Sequence, residues 1–507
     1  MRTAGPWFLA VGGGWLWALE HGEAGFRVAP WLALAPLVLL LGERRAGRWA
    51  WLWGTASWLA AIPWIVPTLV EYGQLSQGLA WVLLVLLCAY LGGYAALFGV
   101  LGRRLWHGPW PVALVGLPGL WVTLEWVRGW LFGGFPWNLA GYAWVEVPGA
   151  LSLTAWIGAF GLSYLVVLAN VGVALSVARR RWLPVLVGVL VPLTLLAVGG
   201  RWGAGERADF GPEATPVVVL QPNIPNRTEL GPEEWEAVLA DYRSLIAATR
   251  EACTRPGVLV VWPESAAWPF SYSRHEHLRL DLEELAAEGC GILFNTTLEE
   301  EGRAFNSVLL VRDGSAVPAR YDKRHLVPWG EYVPLASVLP FMDSLARNAG
   351  DYTAAEELVL LPWGDERLGL AICFEIVFPG EVAQTVREGA TILVTVTNDA
   401  WYGDSSAPWQ HFRAARFRAA EMRRPLVRAA ITGVSALVGP DGSVVEGLGI
   451  FERGRLDGAI RGRRDLSPYA RAPWLVPAAA ALLFASAWLG AGLRRLSGAE
   501  PAADPRS

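Results

Sequence analysis

Long uninterrupted apolar runs dominate both ends of the chain, and short ones dominate its middle. The long runs fall at about 7–20, 28–42, 50–70, 78–102, 110–132, 151–177, 183–200 and 474–493. Most of them reach the roughly 20 residues that a helix needs to cross a bilayer core. The first contains Gly12-Gly13-Gly14 and has the length of a signal-peptide core. Further spans follow it at once without a small-x-small cleavage site, so it is read as retained. The pattern predicts a polytopic α-helical membrane protein with eight transmembrane helices. Seven lie in residues 1–200, a soluble insert occupies 201–473, and one helix lies at 474–495. An Ala/Pro/Asp-rich disordered cytoplasmic tail is expected at 496–507.

The insert alternates between two periods. Strand-like runs are 215–223, 257–265, 291–299, 303–314, 367–375 and 390–399, and helix-like runs are 232–252, 278–288 and 407–423. Several strands are apolar almost without a break, as expected of a sheet covered on both faces. Residues 438–447, with Asp441-Gly442 at the turn, predict a hairpin. No internal repeat is visible.

Basic residues give the spans a direction. Arg44, Arg45 and Arg48 follow the second run, Arg103 and Arg104 the fourth, Arg179, Arg180 and Arg181 the sixth, and Arg494 and Arg495 the eighth. The alternate loops carry a single Arg between them. Lys and Arg concentrate on the cytoplasmic side. Both termini are therefore expected in the cytoplasm and the insert outside it.

Composition agrees with a membrane protein. Of 507 residues, 53% are hydrophobic and only 17% charged, against about a quarter charged in soluble domains. Tryptophan, which concentrates at membrane interfaces, occurs 29 times. A net charge of −4 gives no reason to expect nucleic acid. The four cysteines, Cys88, Cys253, Cys290 and Cys373, form no CxxC pair and no metal spacing. They could be paired or free, although Cys88 inside an apolar run argues against two disulfides.

Three segments of the insert end on reactive residue types. "VVWPES" delivers Glu264, "ARYDKRHLVPWGEYVP" delivers Lys323 with Glu331 eight residues on, and "AICFE" delivers Cys373. Taken singly, each has a plain structural reading: a first-turn acid, a solvated charge, a core thiol. Together they suffice for acyl transfer. A carboxylate can take the thiol proton, and an ammonium can stabilise the oxyanion formed when sulfur attacks a carbonyl. "ERLGLAICFEIVFPG" reads as a strand ending near Cys373, with Glu375 and Pro379-Gly380 at the strand end or turn. His275 and His277 lack a third ligand nearby, so a loop is expected rather than a metal site. Structural hydrogen bonding is expected of His325 and His411. Glu125 and Arg128 share one helix face, where an ion pair or contact with a phospholipid head group is expected.

"VVWPES", "YDKRHLVPWGEYVP" and "ICFE" resemble the three motifs of the nitrilase superfamily. More specifically, the whole chain resembles the apolipoprotein N-acyltransferase family. "QPNIP", "FNSVLLV", "TNDAWYG", "PWQHFRAARFRAAEMRRPLVRAAITGVSA", "LSPYAR" and "EWVRGWLFGGFPWNLAGY" carry the likeness. The resemblance implies an α-β-β-α sandwich for the insert, with no cofactor and no metal. It implies Glu264 as general base, Lys323 and the Phe374 N–H as oxyanion donors, and Cys373 as nucleophile. It adds Glu331 as an orienting acid, Glu375 beside the site, and Trp401 on a membrane-facing loop, with Trp401, Tyr402 and Trp409 as a candidate lid. Phe374 stands where Tyr is frequent and Trp329 where Phe is common, so no role of a Tyr hydroxyl carries over.

The implied reaction is a two-step exchange at the bacterial inner membrane. A phospholipid, phosphatidylethanolamine or phosphatidylglycerol, donates an acyl chain to Cys373. The α-amine of an S-diacylglyceryl-cysteine apolipoprotein then takes it. A monomer is expected, with membrane lipid around it and no nucleic acid. The rival readings are a membrane-tethered nitrilase-type amidase and a non-enzymatic transport module. The latter lacks the charged, broken helices of a transporter core.

Overall fold

The structure is a computed structural model that describes residues 4–21, 29–203, 214–227, 230–315, 317–332 and 351–496. The expected tail at 497–507 and most of the loop 21–27 lie outside the described residues. The chain divides into two units. One comprises Met1–Pro63, Trp81–Arg201 and Ala472–Ser507, and the other Trp64–Ala80 and Trp202–Arg471.

Among the described residues five helices are long and apolar enough to cross a membrane, four wholly in the first unit and one beginning just before it. They are Gln77–Trp106, Trp110–Arg128, Ala150–Arg179, Leu183–Arg201 and Leu475–Leu493. The expected third span differs: Ala46–Ala61 and Ile65–Glu71 are separate helices bent by 56°. Pro63 lies in the break, where it lacks a donor and disfavours a helical residue before it. The two expected N-terminal spans are short helical segments, Ala4–Leu19 and Ala29–Gly42. Eight full-length spans are therefore not reached among the described residues.

Small residues let these helices approach closely. A Cβ on Gly99 would meet the Ala46 carbonyl oxygen at 2.7 Å, and one on Gly119 would meet the Ala480 carbonyl oxygen at 2.6 Å. Packing of this kind drives association where lipid removes the hydrophobic incentive. Glu125 and Arg128 are both buried, and the contacts described for each run to other residues rather than to the expected partner. Glu125 Oε1 accepts from the Ala140 N–H at 2.8 Å, and the Arg128 guanidinium lies 4.8 Å above the Trp58 ring.

The second unit holds two six-stranded sheets. In chain order the strands are β1 (Thr215–Gln221), β2 (Leu259–Val261), β3 (Gly291–Glu300), β4 (Arg303–Arg312), β5 (Ala319–Asp322) and β6 (Leu361–Trp363). They continue with β7 (Glu366–Ile372), β8 (Ile392–Thr397), β9 (Leu426–Ala430), β10 (Ser435–Val438), β11 (Val444–Leu448) and β12 (Gly454–Ile460). The sheet orders are β12-β1-β2-β3-β4-β5 and β11-β10-β9-β8-β7-β6. The central pairs β1–β2, β2–β3, β7–β8 and β8–β9 are parallel.

Alternation along β1 explains the layers. Val217 and Val219 face the core between the sheets, together with Leu370 and Val394. Val218 and Leu220 face outward, under the helices Pro232–Cys253 and Glu276–Ala287. Pro379–Arg387 and Ala407–Met422 are the helices associated with the second sheet. Burial on both strand faces makes the central strands continuously apolar. The hairpin at Asp441-Gly442 forms, with Gly442 at φ +79° and the Ser443 N–H donating to Asp441 Oδ1. Pro379 opens a helix rather than closing a strand, since an N-terminal helix position needs no proline N–H. Cys253 and Cys290 form a disulfide, with Cα atoms 5.2 Å apart, while Cys88 and Cys373 are free and buried.

Candidate active site

The reactive residues collect at the carboxyl ends of strands, three from parallel pairs and one, β5, antiparallel to β4. Glu264 follows β2, Lys323 follows β5, Cys373 follows β7, and Asn398 follows β8. Each strand ends in the core, so each loop delivers a polar side chain into a place closed to water. Glu264, Lys323, Cys373 and Glu375 are all buried.

Asn306 on β4 joins two carboxylates. Its Nδ2 donates to Glu264 Oε1 at 3.0 Å and to Glu331 Oε1 at 2.8 Å. Asn295 on β3 fixes that orientation by donating its own Nδ2 to Asn306 Oδ1 at 2.6 Å. The other Glu264 oxygen accepts from the Asn398 backbone N–H at 2.9 Å. Lys323 Nζ, almost wholly enclosed, donates to Glu331 Oε1 at 2.9 Å. The Val327 N–H holds Glu331 Oε2 at 2.7 Å, so Glu331 is fixed at both oxygens. Backbone bonds from Lys323 N to Asn306 O and from Ala355 N to Lys323 O hold the lysine's own main chain.

Cys373 sits just beyond β7, in a tight turn over Cys373–Val377, with φ +52°. A residue with a side chain rarely adopts this region, which costs about 1–2 kcal/mol. Glu375 fastens the turn. Its Oε2 accepts from the Ile372 N–H at 2.7 Å and the Tyr321 hydroxyl at 2.9 Å. Its Oε1 accepts from the Arg324 N–H at 2.7 Å and the His325 N–H at 3.1 Å. One carboxylate thereby ties the cysteine's turn to the residues immediately after Lys323. The Phe374 ring packs edge-on against Phe378 (5.0 Å) and His325 (5.8 Å), in an aromatic cluster of its own.

The electrostatics follow from burial. Desolvation raises the Glu264 carboxyl above its ordinary value of 4.5, and the Glu331 charge adds to this. Lys323 and the bonds from Asn306 and Asn398 oppose the rise. Burial also pushes the Cys373 thiol up, helped by Glu264 and opposed by Lys323 and the Thr397 hydroxyl. Burial alone would lower the Lys323 ammonium. Glu331, Glu264, Cys373 and Glu375 outweigh it and hold the lysine raised. The resting arrangement is thus a neutral thiol, a firmly charged lysine and a carboxylate that takes a proton readily.

Trp401 is partly exposed in a 3₁₀ turn, Asp399–Tyr402, capped by Asn398, whose N–H holds Glu264. The second half of the bent pair and the residues flanking it clamp this turn. Thr68 Oγ1 donates to the Trp401 carbonyl at 2.8 Å, and the Tyr72 hydroxyl donates to the Ala400 carbonyl at 3.2 Å. The Trp64 ring meets Tyr402 at 4.9 Å, and the Tyr72 ring meets Trp401 at 4.5 Å.

All seven residues predicted for the site lie in this neighbourhood. Glu264, Lys323 and Glu331 share bonds directly or through Asn306, Glu375 ties Ile372 to Arg324 and His325 beside Lys323, and Phe374 and Trp401 flank them. Sequence reasoning missed Asn306, Asn398 and the 64–72 clamp. Asn306 stood within "FNSVLLV" with nothing local to mark it. His275, by contrast, bonds within its own loop, its Nδ1 accepting from the Ser271 N–H at 3.0 Å.

Fold and site define a carbon-nitrogen hydrolase type of domain carried on a chain rich in membrane-length helices. The carbon-nitrogen hydrolase family matches residues 219–465, and the apolipoprotein N-acyltransferase N-terminal domain matches residues 13–172. An apolipoprotein N-acyltransferase of Geobacter metallireducens is 35% identical over 469 residues, covering 90% of this chain and 89% of that protein. One of Methylococcus capsulatus is 34% identical over 473 residues, covering 91% of each. An amidase of the nitrilase superfamily from Nesterenkonia AN1 is similar in structure at 19% identity and a TM-score of 0.37. It covers 52% of this chain and 96% of its own. The chain belongs to the apolipoprotein N-acyltransferase family.

Proposed function

We propose that this protein moves an acyl chain from a membrane phospholipid to the amino terminus of a diacylated lipoprotein through a thioester on Cys373. The observation that carries the reading is the buried Glu264–Asn306–Glu331–Lys323 network beside a cysteine held at positive φ. In the first half-reaction, Cys373 Sγ attacks the ester carbonyl of the phospholipid and Glu264 accepts the thiol proton. Lys323 and the Phe374 N–H stabilise the oxyanion. The C–O bond breaks, Glu264 returns the proton to the leaving oxygen, and lysophospholipid departs. In the second half-reaction, the α-amine of the S-diacylglyceryl-cysteine attacks the thioester. Glu264 takes a proton from nitrogen, the C–S bond breaks, and Glu264 passes that proton to the leaving sulfur, restoring thiol and carboxylate. Two easier steps replace one hard one.

Glu331 holds Lys323 in place, Glu375 sets the cysteine turn, and Trp401 borders the acyl path. The donor is phosphatidylethanolamine or phosphatidylglycerol, and the enzyme works as a monomer. The domain at 201–473 lies outside the cytoplasm and both termini lie inside it. This orientation keeps the two short N-terminal segments and the bent pair as crossings. The Cys253–Cys290 disulfide supports it, because such bonds persist in oxidising compartments.

The test adds labelled phosphatidylethanolamine or phosphatidylglycerol to purified protein and then a diacylated lipopeptide. The expected result is a lipopeptide carrying a third chain, absent with Cys373→Ala. A lipopeptide that stays diacylated, with label released as free fatty acid, contradicts the reading and favours hydrolysis.

A further inference from the structure

Beneath the cysteine turn lies a buried group of charges that the steps above leave unused. Asp399 follows β8, His411 lies in the helix Ala407–Met422, and Arg428 lies within β9. The side chains of all three are fully enclosed. Asp399 Oδ2 accepts from Arg428 Nη2 at 2.8 Å, and Asp399 Oδ1 accepts from the Thr397 hydroxyl at 2.8 Å. Arg428 Nε donates to the Val434 carbonyl at 3.0 Å, which fixes the guanidinium in its plane.

The histidine connects this group to the nucleophile. His411 Nε2 lies 3.0 Å from the backbone carbonyl oxygen of Cys373. A carbonyl only accepts, so Nε2 carries a hydrogen. At the other edge of the ring, Nδ1 lies 3.2 Å from Arg428 Nη2 and 3.1 Å from Asp399 Oδ1. A neutral ring with its hydrogen on Nε2 can accept from Arg428 and donate to Cys373, and Asp399, an acceptor like Nδ1 in this form, acts on the ring by holding Arg428. Burial and the Arg428 charge hold His411 below its ordinary value, which favours that form.

The cysteine needs such a support. Its φ of +52° is unfavourable for a residue with a side chain and persists only where the surroundings fix it. Glu375 holds the turn through the Ile372 N–H, on one side of the cysteine. His411 holds the carbonyl on the other. That carbonyl belongs to the same peptide plane as the Phe374 N–H, so rotating it turns the N–H away from the developing oxyanion.

We infer that His411, set by Asp399 and Arg428, is a positioning residue that locks the Cys373–Phe374 peptide and so aims thiol and oxyanion donor together. The inference rests on Cys373 being the nucleophile. Acyl-enzyme formation in Cys373→Ala would defeat that underlying reading, a result distinct from the outcomes below that overturn the role of His411 alone.

The experiment compares full-length His411→Gln and His411→Leu by the rate of acyl-enzyme formation, KM for phospholipid, Tm, and alkylation of Cys373 by iodoacetamide. Gln can place an N–H near the Nε2 position, and Leu cannot donate. The expected loss for Leu is about 10²-fold in rate, the scale of a roughly 1 Å misplacement, with KM unchanged. Gln restores most of the rate. Alkylation, which uses no oxyanion donor, falls far less than acyl transfer. Asp399→Asn, which keeps the shape and removes the charge, is the second variant, and a drop in rate at constant KM is expected. A wild-type rate in Leu overturns the inference. So does a loss that tracks Tm and alkylation alike and that Gln does not rescue.

Discussion

Glu375 accepts four hydrogen bonds at the junction of two catalytic loops, and the strongest residue-scale expectation concerns it. Glu375→Ala strands four donors in a closed site, where each unsatisfied group costs about 1–3 kcal/mol. Thermal unfolding of this variant should show a large loss of stability, and a wild-type Tm would contradict the assignment. Asn306 offers a pH test. Its Nδ2–H favours the charged form of Glu264, whose carboxyl burial already raises above 4.5. Removing that bond in Asn306→Leu raises the carboxyl further, so less base form survives as pH falls. The acid limb of the pH–rate profile should move to higher pH, and an unmoved limb would count against Glu264 as base. Cys373 and Glu375 were legible through the likeness of "ICFE" to a family motif, while Asn306 was not. By local pattern alone Cys373 ended an apolar run as a core thiol would, and its φ of +52° and the surrounding bonds distinguish it in the fold. Positive φ outside glycine is imposed by tertiary contacts, and no local residue pattern records them.

At the scale of elements, legibility followed burial. The central strands β1, β3, β4, β7 and β8 are buried over most of their length and were readable as runs. Short β5 and β6 gave no such signal, and neither did β12, whose residues are mostly half-buried. β9 carries Arg428 in mid-strand, a charge that breaks the run in sequence but is paired with Asp399 in the fold. The run at 50–70 read as one span because hydropathy does not register a bend. Its second half instead clamps the Asp399–Tyr402 turn. Thr68→Val with Tyr72→Phe removes two hydrogen bonds of about 1 kcal/mol each. Amide exchange over 398–402 should quicken and turnover should fall severalfold. Unchanged exchange would show that the clamp is slack. The disulfide closes a loop across a sequence separation of 37. Cys253→Ser with Cys290→Ser should lower stability by about 3–4 kcal/mol on the chain-entropy argument, read by denaturant titration under non-reducing conditions.

For the whole molecule, the arginine pattern and the disulfide point to one orientation by independent physics. Ser273 is exposed in the sheet unit, and Ser273→Cys should react with an impermeant thiol reagent in intact cells. Labelling only after lysis would reverse the orientation. On the proposed reading, joining the sheet domain to membrane-length helices makes sense because the donor chain resides in the bilayer and the thioester must be kept from water. The central claim is that Cys373 carries a lipid acyl group between the two half-reactions. Its most direct test is peptide mass spectrometry of the protein incubated with phospholipid and no acceptor. The account predicts one acyl chain on the peptide containing Cys373, removed by hydroxylamine and discharged when a diacylated lipopeptide is added. An unmodified Cys373 in protein that still triacylates the lipopeptide would contradict it.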